Sequence, residues 1–226
     1  MKLWDKNNSV NEKIIEFTVG DDRLNDLYLI KYDVKASISH AKMLYRSNLL
    51  SEIECDKIIN ILNEILSQAE SGELKIEKEF EDMHSKIEYI LTDKLGDIGK
   101  KIHTARSRND QVLVSIQLYL IDELNFIKAE VKSLFDLLIN LAKKNKNIIM
   151  PGYTHMRAAM PSSFGLWFSA YAEILIDDVI SLNSTIEIIN QNTLGSAAGY
   201  GTSFNIDRDF TTNDLNFKTL KYNSLA

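Results

Sequence analysis

The sequence predicts an all-α fold. It divides into an N-terminal helical domain over residues 1–107 and the opening helices of a bundle over 108–226. Three observations carry this. Apolar residues recur at helical spacing through most of the chain. From about Arg108 to Lys146 nothing interrupts a helix. Only two prolines, Pro151 and Pro161, and nine glycines occur in 226 residues, too few turn formers for a many-stranded sandwich.

Residues 1–32 are mixed and polar and read as an extended arm or short helices. A helix is expected over 34–48. Ser51-Glu-Ile-Glu54 is a capping box and opens a helix with Ile58, Ile61, Leu62, Ile65 and Leu66 on one face, stopping near Gly72. Another helix is expected from about Glu81 to Leu95, before Gly96. A short link then leads to the longest helix. In it Leu120, Leu124, Ile127, Val131, Leu134, Leu138 and Leu141 follow a 4-3-4-3-4-3 spacing, the seam of a bundle. Phe126, Phe135, Leu137 and Ile139 add a second apolar side. Pro151 and Gly152 break the run. Pro161 suits the first turn of a second long helix carrying Phe164, Phe168, Tyr171, Leu175, Leu182, Ile186 and Ile189. Residues 192–206 read as a flexible Gly-rich connector, and 207–226 as a weakly patterned tail. Two such helices cannot bury their own apolar surface, so the seam should meet other chains or further helices.

Composition narrows the function. The formal net charge is −6, against a nucleic-acid partner; the short Lys143-Lys144-Asn145-Lys146 cluster reads as a solvated helix end. No apolar run reaches the ~18 residues of a membrane span. The first residues, Met-Lys-Leu-Trp-Asp-Lys-Asn-Asn, hold no apolar signal core. The single Cys55 leaves no internal disulfide. A cytoplasmic location is expected. The four histidines, His40, His84, His103 and His155, are too scattered for a metal motif, and His40 is expected to be structural or exposed. Gly195, Gly199 and Gly201 lack the strand and Gly-Lys-Ser/Thr of a phosphate loop.

Two clusters remain. His103-Thr-Ala-Arg-Ser-Arg-Asn-Asp110 sets two arginines, hydroxyls and an amide at a helix start, a pattern that suits carboxylate binding or, equally, an ordinary cap. Pro151-Gly-Tyr-Thr-His155 places a histidine in the link between the long helices. It either moves protons or is hydrogen-bonded in a turn.

These stretches resemble argininosuccinate lyase. So do Glu81-Asp-Met-His-Ser85 and Leu194-Gly-Ser-Ala-Ala-Gly-Tyr-Gly201 with Ile206-Asp-Arg208. The resemblance runs in order along essentially the whole chain. It implies a fumarase/aspartase-type helical bundle and a homotetramer whose sites draw on three chains. It also implies reversible cleavage of argininosuccinate to arginine and fumarate, with no metal or organic cofactor. By match, Ser107, Arg108, Asn109 and Thr154 hold substrate carboxylates and His155 is the acid/base histidine. His84 lies near the site, and Asp22 aligns with a substrate-contacting serine. The family's Gly-Ser-Ser-x-Met-Pro-x-Lys-x-Asn loop, with its proton-abstracting serine, does not occur in this sequence. The match is therefore to the N-terminal half, and residues 1–226 alone are expected to be inactive. A non-catalytic remnant, a structural protein and one half of a split lyase are the rival readings. Ala105 stands where the family usually has Gly, tolerable only at negative φ. Arg157 adds a charge beside His155. Asn109 and His155 flank a helix of about 38 residues, about 57 Å long, so one small substrate reaches both only if different subunits supply them.

Overall fold

A computed structural model describes residues 12–225. The expected arm over 1–32 lies partly outside this range, as do the first eight residues. The described residues form α1 (Glu12–Val19), α2 (Asp22–Arg46), α3 (Glu52–Glu70), α4 (Met83–Leu95), α5 (Asp97–Lys100), a 3-10 turn (Lys101–His103), α6 (Arg108–Asn145) and α7 (Phe164–Ile189). A hairpin of β1 (Ile149–Thr154) and β2 (Arg157–Ser163) separates α6 from α7. After α7 come β3 (Gln191–Asn192), α8 (Arg208–Asp214) and β4 (Thr219–Leu220).

The chain forms two compact units. One holds the residues up to Tyr119 together with those from Asn190; the other is Leu120–Ile189. This division differs from a boundary at 107/108, because the first turns of α6 pack within the first unit. Asp110, Gln111, Val114 and Ser115 are all buried there.

In the first unit α2, α3 and α4 enclose the core. Ile30, Val34, Ala41 and Leu44 of α2 meet Ile58, Leu62 and Ile65 of α3 and Ile87 and Leu91 of α4. The capping box at α3 forms as expected: Glu54 N–H donates to Ser51 Oγ, and Ser51 N–H donates to Glu54 Oε2 at 3.0 Å. Asp82 caps α4, its carboxylate accepting from Ser85 N–H at 2.7 Å. Helix α2 starts twelve residues earlier than the expected 34–48. Asp33, Ser37 and His40, spaced 4 and 3, lay a buried polar stripe along it that interrupts the apolar period.

In the second unit α6 runs unbroken to Asn145, and the expected seam is real but partly open. Ile127 is 46% exposed and Leu134 46%. Of α7 only Gly165 and Ala172 are buried. A groove of about 580 Å³ between the helices is lined by Val131, Phe135, Leu175 and Val179. A Cβ on Gly165 would sit 2.7 Å from Lys146 Cα, so glycine lets α7 start against the end of α6.

The link between the helices corrects the sequence expectation. Pro161 lies in β2, paired with Pro151 across an antiparallel ladder, and α7 begins only at Phe164. Each proline pushes the residue before it, Met150 or Met160, out of helical space and into extended backbone. His155 and Met156 form the tip, with φ of 48° and 63°, the two left-handed residues that a tight hairpin turn requires.

Ala105 adopts φ +58°. A left-handed alanine costs about 1–2 kcal/mol. Ala105→Gly should therefore stabilise the chain by about 1 kcal/mol after the entropic cost of glycine, read as a higher midpoint in urea unfolding. An unchanged or lower midpoint would contradict the strain.

Candidate active site

The start of α6 is built as a reciprocal cap. Ser107 Oγ accepts from Asn109 N–H at 3.3 Å, and Asp110 Oδ1 accepts from Ser107 N–H at 2.9 Å. The capping reading of this cluster is thus correct for Ser107 and Asp110. It leaves the Arg108 and Asn109 side chains free of that task. Both line a cavity of about 540 Å³ with Thr193, Ser196, Lys221 and Asn223. Arg108 Nη1 donates to Asp82 Oδ1 at 2.7 Å, so the residue that caps α4 also aims the guanidinium. An arginine fork beside helix N–H groups is suited to a carboxylate.

The Gly-rich segment is no loose connector. Asp110 Oδ2 accepts from Gly195 N–H at 2.9 Å and Ala197 N–H at 3.0 Å. Arg208 braces the other side, with Nε to Leu194 O at 2.9 Å and Nη2 to Ser196 Oγ and Lys221 O. Gly195 has φ +89°, and a Cβ there would sit 2.8 Å from Arg208 Cγ, so only glycine fits. The backbone amides form an anion nest already filled by the chain's own carboxylate. Pattern reading missed Asp110 and Arg208 as the clamp, because their partners lie 85 and 14 residues away.

Behind the cavity lies a buried ionic layer. Asp33 is fully buried, with Gln111 Nε2 donating to both carboxylate oxygens at 3.0 and 3.1 Å and Ser115 Oγ at 3.4 Å. His84 Nδ1 is 3.2 Å from Asp33 Oδ1, an ion-pair distance without hydrogen-bond alignment. Burial pushes the Asp33 carboxyl up. His84, Arg106 and Gln111 together outweigh that and hold it below the ordinary carboxylate range. Arg106 is buried as well and donates to Ser37 Oγ at 2.8 Å. Burial lowers its pKa, and Asp33, Glu88 and Asp110 oppose the shift. Glu88 accepts a 3.0 Å contact from His103 Nδ1.

His40 is fully buried and structural. Its Nε2 meets Thr104 O at 2.9 Å, a hydrogen bond with Nε2 as donor. Burial, then the Arg106 charge, push its pKa down to about 3.

Asp22 opens α2 and is exposed. The neighbouring Arg23 donates to Phe80 O at 2.7 Å and Lys78 O at 3.1 Å, which holds its guanidinium against the segment before α4. Sequence reasoning missed Asp26, one turn further. Its carboxylate accepts from Met83 N–H at 2.9 Å, faces His84, Asp82 and Asp22, and has its pKa raised, chiefly by burial. A partly buried carboxyl with a raised pKa beside a histidine is a signal visible only in three dimensions.

Thr154 and His155 are exposed at the hairpin tip of the second unit, where Thr154 pairs with Arg157. The site residues therefore fall into two sets. Ser107, Arg108 and Asn109, with His84 and Asp22, belong to the first unit; Thr154 and His155 belong to the second. Among the described residues no group of three His, Cys, Asp or Glu side chains is placed to hold a metal ion. Among the described residues no helix is long and apolar enough to cross a membrane.

Residues 14–225 match the model of a family described as lyase. The chain is 52% identical to argininosuccinate lyase of Phocaeicola vulgatus over 222 residues, covering 98% of this chain and 50% of that protein. It is 46% identical to the Thermotoga neapolitana argininosuccinate lyase over 224 residues, 99% of this chain and 56% of the relative. The chain thus spans about half the length of the curated relatives it matches. Among solved structures it resembles an EDDS lyase variant with bound fumarate (TM-score 0.81, 24% identity, 97% of this chain and 43% of the other). It also resembles a class II fumarase from Schistosoma mansoni (TM-score 0.73, 18% identity, 95% and 49%). The fold is that of the helical fumarase-type lyases.

Two outcomes follow from the buried layer. As pH falls below 6.5 the unfolded chain protonates His40 while the folded chain resists to about 3, so stability is full above 6.5 and drains away below it. In denaturant midpoints measured from neutral pH down to about pH 4, His40→Gln should flatten this decline; an unchanged slope would contradict it. Asp110→Asn sets an amide donor against backbone N–H groups that need an acceptor. It should cost about 2–4 kcal/mol and speed hydrogen exchange at Gly195 and Ala197, the latter by amide-resolved exchange.

Proposed function

The chain belongs to the lyase family, and from that premise we propose that it serves an argininosuccinate lyase. That enzyme splits argininosuccinate reversibly to arginine and fumarate in arginine biosynthesis, in the cytoplasm. The observation that carries this reading is the identity to argininosuccinate lyases sustained along nearly the whole chain. The geometry agrees with it. Elimination beside a carboxylate builds up an extra negative charge, and such a site needs fixed donors around a dicarboxylate. Arg108 and Asn109, which line the cavity at the start of α6, supply donors, with Ser107 and Thr154 as others. His155, unburied at a hairpin tip, is the acid/base group, and His84 and Asp22 are further substrate-binding residues of the reading. Retention of Arg108, Asn109, Thr154 and His155 favours catalysis over a purely structural role.

Helix α6, 38 residues or about 57 Å, separates Asn109 from the hairpin along the chain. A homotetramer in which different subunits supply the two sets brings them to one substrate. Unit Leu120–Ile189 offers the exposed apolar faces for such an assembly. The sequence has no serine-bearing loop of the family type, so the chain by itself is inactive on argininosuccinate.

The test joins this chain to the remaining half of the Phocaeicola vulgatus enzyme. The chimaera should release fumarate from argininosuccinate, and Asn109→Ala should lower kcat/KM by about 10²-fold or more. Co-assembled Asn109→Ala and His155→Ala subunits should regain activity in some sites. A folded tetrameric chimaera inert on argininosuccinate would remove the reading. Fumarate release by the isolated chain, lost with His155→Ala, would remove the claim that it is inactive alone.

A further inference from the structure

We infer that Asp33 is a positioning residue for His84: it keeps the ring proton on Nδ1 and so makes Nε2 the nitrogen offered to a ligand. Asp33 is 0% exposed and His84 2%. The carboxylate lies 3.2 Å from Nδ1. It is pinned from the α6 side by Gln111 Nε2, which donates to both oxygens, and by Ser115 Oγ. A carboxylate so held can only accept. A bare, electron-rich Nδ1 would lie 3.2 Å from its negative charge in a poorly solvated interior, where such repulsion is strong, whereas a proton on that nitrogen is attracted to it. The contact of one ring nitrogen decides the role of the other. Nε2 bonds to no group among the described residues. The ring stands two residues from Asp82, which aims Arg108, and next to Asp26, whose carboxylate accepts from Met83 N–H. A carboxylate that fixes a histidine, beside an arginine and an ionisable acid, is the arrangement of a group prepared to exchange a proton or hydrogen bond. Its bearing on catalysis rests on the lyase reading; the place of the proton does not.

The experiment uses the chain itself, labelled with 15N-histidine, with His84→Gln identifying the His84 ring signals. Two-bond proton–nitrogen correlations at neutral pH should show His84 Nδ1 as a protonated nitrogen. In Asp33→Leu, alike in branching but without charge or acceptor, that pattern should be lost and the proton should appear on Nε2. A bare Nδ1 in the wild-type chain overturns the inference. So does a protonated Nδ1 that persists in folded Asp33→Leu. If that variant does not fold, the wild-type spectrum decides alone. A protonated Nδ1 together with an inert chimaera leaves the inference standing and removes only the lyase reading.

Discussion

Asp33 sits with no solvent contact where α2, α4 and α6 meet, and the first unit is arranged around keeping that charge tolerable. An unpaired buried carboxylate costs several kcal/mol. Two other helices therefore supply its partners: His84 from α4, and Gln111 and Ser115 from α6. Arg106 adds a second buried charge just before α6. Apolar packing alone would let these helices slide or rotate at small cost, because it is non-directional. The ionic layer is directional and fixes their register. That register carries the working groups. Once Gln111 faces Asp33, Arg108 and Asn109 one turn earlier are set at the cavity, and Asp110 is set against the Gly-rich segment.

The two units obey different physics. The first is held by a closed apolar core and a polar layer whose main groups find partners within it. The second is two long helices and a hairpin whose apolar residues outnumber the contacts the unit itself can supply. Trp167 is 45% exposed and Ile174 58%. At roughly 25 cal/mol per Å² of apolar surface, leaving such faces wet forgoes a large share of the available stabilisation. The stability of α6 thus differs along its length: its first turns are anchored by buried polar pairs, and its later turns depend on what covers them.

Much of this was legible in the sequence where the determinants are local. Ser51 and Glu54 announced their helix because a capping box is a four-residue event. Helix α6 was readable because nothing within it opposes a helix. Ser107-Arg108-Asn109 could be placed at its start for the same reason. What escaped depends on distant partners or on competition between local rules. Helix α2 was underestimated because its first turns offer no apolar period: Leu24, Leu27 and Tyr28 are exposed, and Asp33 is polar yet buried through partners on α4 and α6. Pro161 satisfied the rule for a helix start, but its effect on Met160 and the pairing with Pro151 prevailed. Gly195 and its neighbours looked loose because glycine marks both flexibility and tight backbone approach. Only Asp110, 85 residues away, distinguishes the two. Asp26 had no signature in the chain at all.

The tip of the hairpin bears on how this sequence can change. His155 and Met156 both occupy left-handed backbone, where every side chain except glycine, and to a lesser degree asparagine or aspartate, is disfavoured. Were the tip only a turn, random substitution would carry both positions toward Asn-Gly, which relieves strain and asks nothing of the rest of the fold. A histidine there runs against that drift. The strain at positions 155 and 156 is carried by the ladder that closes the hairpin, from Ile149 paired with Ser163 to Thr154 paired with Arg157, so the tip is held in place by the strands beneath it and not by its own residues.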